Sequence, residues 1–450
     1  MKLWDKNIST EEKILQFTTG LDPQFDKLLA PYDILGSMAH VIMLSEIDLL
    51  DRQEAQTIVL ELERLYRDVS ENGIELDPGV EDIHSQVEII LTGKLGDLGK
   101  KIHTGRSRND QVLVDIKLFL RDELKELVGL LQELIATLFK NSEENKDILM
   151  PGYTHFQVAM PSSFGLWFGA YAEALTDDLT FLSGAYAVVN QNPLGSAAGY
   201  GSSFPLDREL TTELLKFENL HVNVINAQLN RGKAEWYMAS GIAAIASSIG
   251  KMAMDSVLYA SQNFGFISLP DALTTGSSIM PHKKNPDVLE LIRAKCNTLA
   301  QLPSSVTAIL SNLPSGYHRD FQNLKEVLFP AIEDIKSIIG IMDYVMKSVI
   351  VNKEILDDPR YHHLFTVEEV NNKVMQGIPF RDAYKEVAKD IASGAYKPGK
   401  EHKHTHLGSI GDPGTKQIKA KLKGALARFN FVDREEVLNL LTAYYSDHGA

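Results

Sequence analysis

Apolar residues recur at helical spacing through most of the chain. Between residues 51 and 69 they mark a single helix face at Ile58, Leu62, Leu65 and Val69. Asp51 is followed three residues later by Glu54, which predicts a capped start for this helix. The pattern therefore favours a mainly helical protein.

Two longer helices are predicted further along the chain. From Val112 the apolar pattern continues to Leu134, interrupted only by Gly129, and predicts a helix of about seven turns. The segment from Arg231 to Leu258 repeats Ala, Ile, Met and Ser. Small residues spread around a helix let neighbours approach closely on several sides, which favours the centre of a bundle, including one shared between subunits.

Strand alternation is scarce, and the irregular stretches are dense in Gly, Ser and Pro. These stretches are 101–111, 150–161, 190–205, 274–287 and 313–322. We predict a mainly α fold with an N-terminal helical domain (1–108), a central long-helix bundle domain (109–355) and a C-terminal helical domain (356–450). Residues 397–423 read as a surface loop that leads into a helix. Chemistry is then expected where loops converge at helix ends.

The composition and charge of the chain argue against several classes of function. The 450 residues include 45 Lys+Arg and 60 Asp+Glu, a net charge of −15, which disfavours binding to nucleic acid or anionic membranes. One cysteine, Cys296, cannot form an internal disulfide and indicates a reducing compartment, so we expect a cytoplasmic protein. The charged N-terminus predicts no export signal, and the uncharged run from Trp236 to Gly250 is too short to span a membrane.

The strongest chemical signal is the stretch TGSSIMPHKKNPD at 275–287, followed by Glu290. Two serines after a glycine place hydroxyls on a backbone whose N–H groups can face an anion. Lys283 and Asn285 add a cation and an amide that could hold a carboxylate and stabilise charge developing beside it. An ordinary surface loop with solvated lysines fits the same composition about equally well.

The second signal is HTGRSRNDQ at 103–111, just before the long predicted helix. Two arginines with Ser and Asn near a positive helix end would form an anion site. A capped helix start, with Asn109 or Asp110 as N-cap, explains the polar residues as well. It explains the arginines poorly, because the helix dipole disfavours cations there.

Three weaker signals remain. In PGYTHFQ at 151–157, a lone histidine between aromatic residues is more often structural than catalytic. Tyr317, Gln322 and Lys325 would share one face if that stretch is helical, although a solvated helix start reads the same way. The alternating histidines at 402, 404 and 406 would need a fixed strand-like backbone to bind a metal, so we predict no metal site. Without a Walker loop, a dinucleotide glycine fingerprint, HExxH or a nucleophile elbow, we predict no cofactor.

Together these motifs resemble the fumarase/aspartase superfamily. GSSIMPHKKNPD matches the superfamily motif, and its KKNPD form with HTGRSRNDQ resembles the argininosuccinate lyase family. GSMAH at 36–40, PGYTHFQ and the spacing of Tyr317, Gln322 and Lys325 fit the same family. The resemblance runs from about residue 20 to the end of the chain.

The resemblance implies reversible cleavage of argininosuccinate to arginine and fumarate in arginine biosynthesis. It implies a homotetramer of three-domain helical subunits, whose central helices form one bundle and whose active sites are each built by three subunits. Ser277 would be the base, and His155, steadied by Glu290, the acid. The two roles have been assigned both ways in the family and stay interchangeable. Lys283 and Asn285 would stabilise the carboxylate.

The remaining residues carried over from the family contact the substrate. They are Ser37, Asn109, Thr154, Asn285, Tyr317, Gln322 and Lys325, with Ser107 and Arg108 in the same segment. Three departures leave substrate detail open, including an acylated argininosuccinate: LQFTTG at 15–20 in place of Gly-Gly-Arg-Phe, Gly232-Lys233 in place of Asp-Phe, and His282 in place of Gln. Another superfamily lyase, or a crystallin-like non-catalytic relative, is the alternative.

Overall fold

A computed structural model describes residues 12–397, 399 and 404–447. The first helices are α1 Glu12–Thr19, α2 Asp22–Asp26, α3 Ala30–Glu46, α4 Arg52–Asn72, α5 Ile83–Leu95 and α6 Arg108–Glu144. The next are α7 Phe164–Val189, α8 Arg208–Leu214, α9 Val224–Leu229, α10 Lys233–Ala260, α11 Asp287–Leu299, α12 Leu302–Leu310 and α13 Asn323–Ser348. The last are α14 Thr366–Met375, α15 Phe380–Ser393, α16 Thr415–Leu426 and α17 Arg434–Asp447. The predicted mainly α fold is confirmed.

Short pairs of strands and single turns of 3₁₀ helix join these helices. The strands are β1 Leu149–Thr154, β2 Gln157–Ser163, β3 Gln191–Asn192, β4 Asn219–Leu220, β5 Ile267–Ser268 and β6 Ile350–Val351. They pair as β1 with β2, β3 with β4 and β5 with β6. The 3₁₀ segments are Lys27–Leu29, Gly96–His103, Asp271–Leu273, Arg319–Gln322, Ile355–Asp357 and Pro359–Tyr361.

The long helices α6, α7, α10 and α13 pack side by side at the centre of the chain. Helix α6 has 37 residues, so at 1.5 Å per residue it is about 55 Å long and exceeds the seven turns predicted from its apolar pattern. Residues 140–144 at its C-terminal end are polar, so the apolar pattern does not extend to the end of the helix. Helix α10 has the predicted composition of small residues, and Gly241 and Gly250 lie against Leu182 and Cys296 of its neighbours.

Helix α6 begins differently from the prediction. Ser107, not Asn109 or Asp110, is the N-cap: its hydroxyl accepts the Asn109 N–H, and Asp110 accepts the Ser107 N–H in return. A serine at N-cap with an acid three residues later is a capping box. At α4, by contrast, the predicted cap is confirmed, since the Asp51 carboxylate accepts the N–H groups of Gln53 and Glu54.

The region 150–161, predicted to be irregular, is largely the β1–β2 hairpin. Thr154 pairs with Gln157, so His155 and Phe156 alone form its turn. Both have positive φ, 53° and 57°, as two-residue hairpin turns require. Asn and Gly favour such turns, and neither is present, so the sequence carried no turn signal.

The N-terminal and C-terminal helices meet on one side of the molecule. Every residue of α3 from Tyr32 to Leu44 is buried, so Met38–Met43 belong to the core. Helix α17 packs on α3 and α4, and α16 packs on α7. The three-domain division of the chain stays a prediction.

Two stretches, Phe17–Glu46 and Val224–Ala260, are long and apolar enough to cross a membrane by length and composition. Buried core helices meet the same criterion, and 89% of the first stretch's apolar window is buried inside the fold. Only 50% of the second window is buried. That stretch contains α10, so a large part of the central helix faces outward in the single chain.

Candidate active site

A cavity of about 230 Å³ lies where α2, the start of α5, the start of α6 and the start of α13 converge. Five of the predicted substrate-binding residues line it: Arg108, Asn109, Tyr317, Gln322 and Lys325. The other lining residues are Asp22, Asp26, Asp82, His84, Val112 and Arg231, which the sequence did not single out. The wall thus combines cations and carboxylates in one small space.

Lys325 is the most buried cation in this wall, with 3% of its surface exposed. Its ammonium lies 2.7 Å from an oxygen of Asp22 and 2.8 Å from an oxygen of Asp26. Burial alone would lower the pKa of Lys325, but the two carboxylates outweigh it and raise the pKa above its usual value. Asp26 also accepts the Ile83 N–H at 2.7 Å, which fixes the start of α5 beside the lysine.

Two further polar side chains of the cavity are also held by protein partners. Arg108 lies 2.7 Å from Asp82 and donates to the Ser85 hydroxyl. Gln322 donates to the carbonyl oxygens of Thr18 and Thr19, which end α1. The segment that departs from the family pattern therefore positions a predicted substrate-binding residue.

A buried charge cluster lies directly beneath the cavity. His84 donates from Nδ1 to Asp33 at 2.8 Å and lies 3.6 Å from Asp115. Burial alone would lower the pKa of His84, but these carboxylates raise it to about 9, so the ring is an imidazolium at neutral pH. The three side chains could surround a metal ion by geometry, yet the imidazolium already offsets one carboxylate charge, and burial and the neighbouring Asp33 raise the pKa of Asp115 well above its usual value. In the sequence, Asp33 and Asp115 each stand inside an apolar run, and this was the signal that could have revealed the buried cluster.

Ser37 belongs to this buried layer and not to the open cavity. Its side chain is fully buried, and its hydroxyl accepts a hydrogen bond from Arg106 at 2.8 Å. Ser107 is the α6 N-cap, so its hydroxyl is also engaged by backbone. Neither the Ser37 nor the Ser107 hydroxyl lines the cavity of about 230 Å³.

The loop that carries Ser277 is largely exposed and joins the 3₁₀ segment Asp271–Leu273 to α11. Thr275 and Asn285 exchange backbone hydrogen bonds of 3.1 and 2.8 Å and close the loop at its base. The Ser277 hydroxyl accepts the Met280 N–H at 3.2 Å. Lys284 pairs with Asp271, whereas Lys283 forms no ion pair in residues 12–397, 399 and 404–447. Lys283 is therefore the cation that remains available to a ligand.

His155 and Thr154 lie at the exposed tip of the β1–β2 hairpin. His155 and Phe156 both hold left-handed backbone conformations, which are strained for residues with a side chain. Glu290 lies in the first turn of α11 and is exposed. In the described part of one chain, no hydrogen bond or ion pair joins Glu290 to His155.

The single chain thus presents three separate groups. The cavity gathers Arg108, Asn109, Tyr317, Gln322 and Lys325, but Ser277 and His155 do not line it. Of the alternating histidines, His402 lies outside the described residues, and His404 contacts Ser409, Glu368 and the ring of His406.

Comparison with known proteins places this arrangement in a family. Residues 11–300 match the model of a lyase family. The chain is 53% identical over 435 residues to an argininosuccinate lyase of Phocaeicola vulgatus, covering 97% of this chain and 98% of that protein. It is 54% identical to an argininosuccinate lyase of Parabacteroides distasonis, covering 96% of each. The chain belongs to the argininosuccinate lyase family.

Solved structures agree on the fold. A structure of EDDS lyase in complex with formate superposes with a TM-score of 0.73, covering 98% of this chain and 95% of that one at 22% identity.

Among the departures from the argininosuccinate lyase pattern, Gly232 has a structural reason. It adopts φ of 81°, and a Cβ there would lie 2.2 Å from a methyl of Leu310. An aspartate at this position would require Leu310 to move.

We predict that the His84 cluster makes stability depend on pH. The pKa of His84 is raised from 6.5 to about 9, so its stabilising charge is fully present below about pH 6.5 and is lost as pH rises through about 9. Wild type should exceed His84→Gln in unfolding free energy by an amount that shrinks by about 2–3 kcal/mol across this range. Denaturant unfolding at pH 6, 7.5 and 9.5 measures it. A difference that is constant or grows with pH contradicts the assignment.

Proposed function

We propose that this protein is an argininosuccinate lyase that reversibly cleaves argininosuccinate into arginine and fumarate, in cytoplasmic arginine biosynthesis. The observation that carries this proposal is the full-length similarity to argininosuccinate lyases, with every proposed catalytic residue present in the matching motifs. No step of the proposed reaction requires a metal or a cofactor.

The lining of the cavity suits this substrate. Argininosuccinate carries carboxylates, an ammonium group and a guanidinium, so it needs both signs of charge in one site. Arg108, Arg231 and Lys325 supply cations. Asp22, Asp26 and Asp82 supply carboxylates. Because each cation is already paired inside the protein, a bound substrate would exchange partners with the wall instead of meeting bare charges.

The reaction is a β-elimination. A base removes the Cβ proton beside a carboxylate, the carboxylate takes up negative charge, and the C–N bond breaks as the guanidino nitrogen accepts a proton. We assign Ser277 as base, Lys283 and Asn285 as the groups that stabilise the carboxylate, and His155 as acid. A neutral serine is a weak base, so loop N–H groups and the nearby cation must stabilise its alkoxide.

We further propose a homotetramer in which sites are shared between subunits. Half of the apolar window around α10 is exposed in the single chain, and Trp236, Ser247, Lys251 and Met254 lie on that outer face. Packing this face against other copies would cover it. The same packing could bring the Ser277 loop and the His155 turn of different chains to one cavity.

The test is fumarate formation, followed by absorbance, from argininosuccinate and from its N-acetyl and N-succinyl derivatives. Activity on argininosuccinate alone supports the proposal. Preference for an acylated form would identify that derivative, and not argininosuccinate itself, as the substrate. Activity only on malate, aspartate or adenylosuccinate indicates another superfamily lyase, and none at all indicates a crystallin-like relative.

We predict that Ser277→Ala lowers kcat by about a hundredfold to ten-thousandfold, because general acid–base catalysis typically contributes a factor in that range. Ser277 lies on an exposed loop and makes few contacts, so the variant should fold and assemble normally. Steady-state assays with size-exclusion chromatography check both statements. Activity within a few-fold of wild type would remove Ser277 from the mechanism.

We predict that Lys283→Met lowers kcat by about a hundredfold or more while KM changes by less than about threefold, since charge on the carboxylate grows in the transition state. Lys284→Met is the matched control, because it removes the adjacent lysine that pairs with Asp271. Steady-state kinetics of both variants decide the matter. A larger kcat loss in the control would shift the assignment to Lys284.

We predict complementation between two inactive variants. His155→Ala and Ser277→Ala chains, unfolded together and refolded, should regain about a quarter of wild-type activity, because a shared site draws each wild-type residue with probability one half. Each variant refolded alone is the control. Mixed tetramers, verified by differently tagged chains, that stay inactive would contradict shared sites.

A further inference from the structure

The glycine loop, residues 195–201, is held by a single buried side chain. Asp110, the third residue of α6, is fully buried. One of its oxygens accepts the Ser107 N–H at 2.9 Å. The other accepts the N–H groups of Gly195 at 3.0 Å and Ala197 at 2.9 Å. A capping residue therefore also binds a loop that is remote in sequence.

The glycine loop is fitted closely to its neighbours. A Cβ on Gly199 would lie 2.3 Å from Gln228, three residues before the cavity residue Arg231. The Ser196 carbonyl accepts the N–H groups of Gly199 and Gly201. These contacts fix the position of the glycine loop as long as Gly195 and Ala197 remain hydrogen-bonded to Asp110 of α6.

The far end of the glycine loop lies against the residue that precedes Tyr317, which lines the substrate cavity. A Cβ on Gly316 would lie 3.5 Å from the hydroxyl of Tyr200, and Gly316 immediately precedes Tyr317. At the near end, Asp110 follows Arg108 and Asn109 directly. The loop thus connects two walls of the cavity, one on α6 and one before α13.

We propose that Asp110 is a positioning residue that fixes the glycine loop against the start of α6 and thereby sets where Arg108, Asn109 and Tyr317 meet the substrate. This inference rests on the proposed function for the identity of the substrate. Asp110 touches no reacting atom; it acts through the residues on either side of it and through the loop.

Stability alone does not account for a carboxylate at this position. Burial raises the pKa of Asp110 to about 6, despite the opposing effects of Arg106 and the three N–H donors. Because this pKa lies above the usual 3.8, folding favours the protonated form, and the contribution of Asp110 to stability falls as pH rises from about 4 through about 6. A group whose stabilising effect is reduced at neutral pH is expected where it serves geometry.

The test is Asp110→Asn, which keeps the size of the side chain but offers one acceptor oxygen in place of two. We expect KM for argininosuccinate to rise about tenfold with kcat within about threefold, the pattern of weakened binding without loss of chemistry. Hydrogen exchange of the peptide covering 195–201 should become about tenfold faster as hydrogen bonds are lost.

The matched control is Asp178→Asn. Asp178 is another carboxylate whose pKa burial raises to about 6, but it bonds to Ser248 between α7 and α10. It should leave KM and exchange of the glycine loop at wild-type values. A general effect of removing a buried carboxylate would appear in both variants and would overturn the proposal.

Other outcomes are equally decisive. Wild-type KM in Asp110→Asn, or a fall in kcat at constant KM, overturns the positioning role. If wild type does not cleave argininosuccinate, the proposed function fails. If hydrogen exchange of the peptide covering 195–201 is unchanged in Asp110→Asn, Asp110 does not hold the glycine loop against α6, whatever the substrate is. If Asp110→Asn does not fold, Tyr200→Ala at the exposed end of the loop should raise KM about threefold, and an unchanged KM overturns the inference.

Discussion

The buried ammonium of Lys325 is the interaction on which the candidate site depends. A charge with 3% exposure is tolerated only with opposite charges at hydrogen-bonding distance, and Asp22 and Asp26 supply them. Those carboxylates lie on α2 and the lysine on α13, about three hundred residues apart in sequence. Asp26 then binds the start of α5, and the charge cluster of His84 lies beside it. Pairing one cation thus fixes three walls of the cavity.

The groups proposed for chemistry are held in the opposite way. Ser277, Lys283 and His155 lie on an exposed loop and a hairpin turn, with few contacts in their own chain. The left-handed backbone of His155 and Phe156 stores strain at the exposed tip. The proposed binding groups thus lie in an ion-paired wall and the proposed catalytic groups on projecting elements, an arrangement that the proposed assembly would complete.

Periodicity and motif spacing in the sequence were sufficient for the helices. The i, i+4 pattern placed α4 and α6, and the repeated small residues placed α10, because an amphipathic or small-residue helix is a local property of consecutive residues. The hairpin was missed because its turn uses His and Phe where Asn-Gly would have marked it. The α6 cap was misplaced by two or three residues because Ser, Asn and Asp are all good caps and only backbone geometry selects among them.

For the site, the sequence by itself determined the chemistry, since the residue types and the motifs GSSIMPHKKNPD and HTGRSRNDQ identify the family. It could not determine which partners each side chain has. That Lys325 is paired with Asp22, that Ser37 is buried under Arg106 and that Asp110 holds the glycine loop were decided only by the tertiary structure. Such pairings join residues tens to hundreds of positions apart, and burial, which makes them necessary, arises only once the helices have packed.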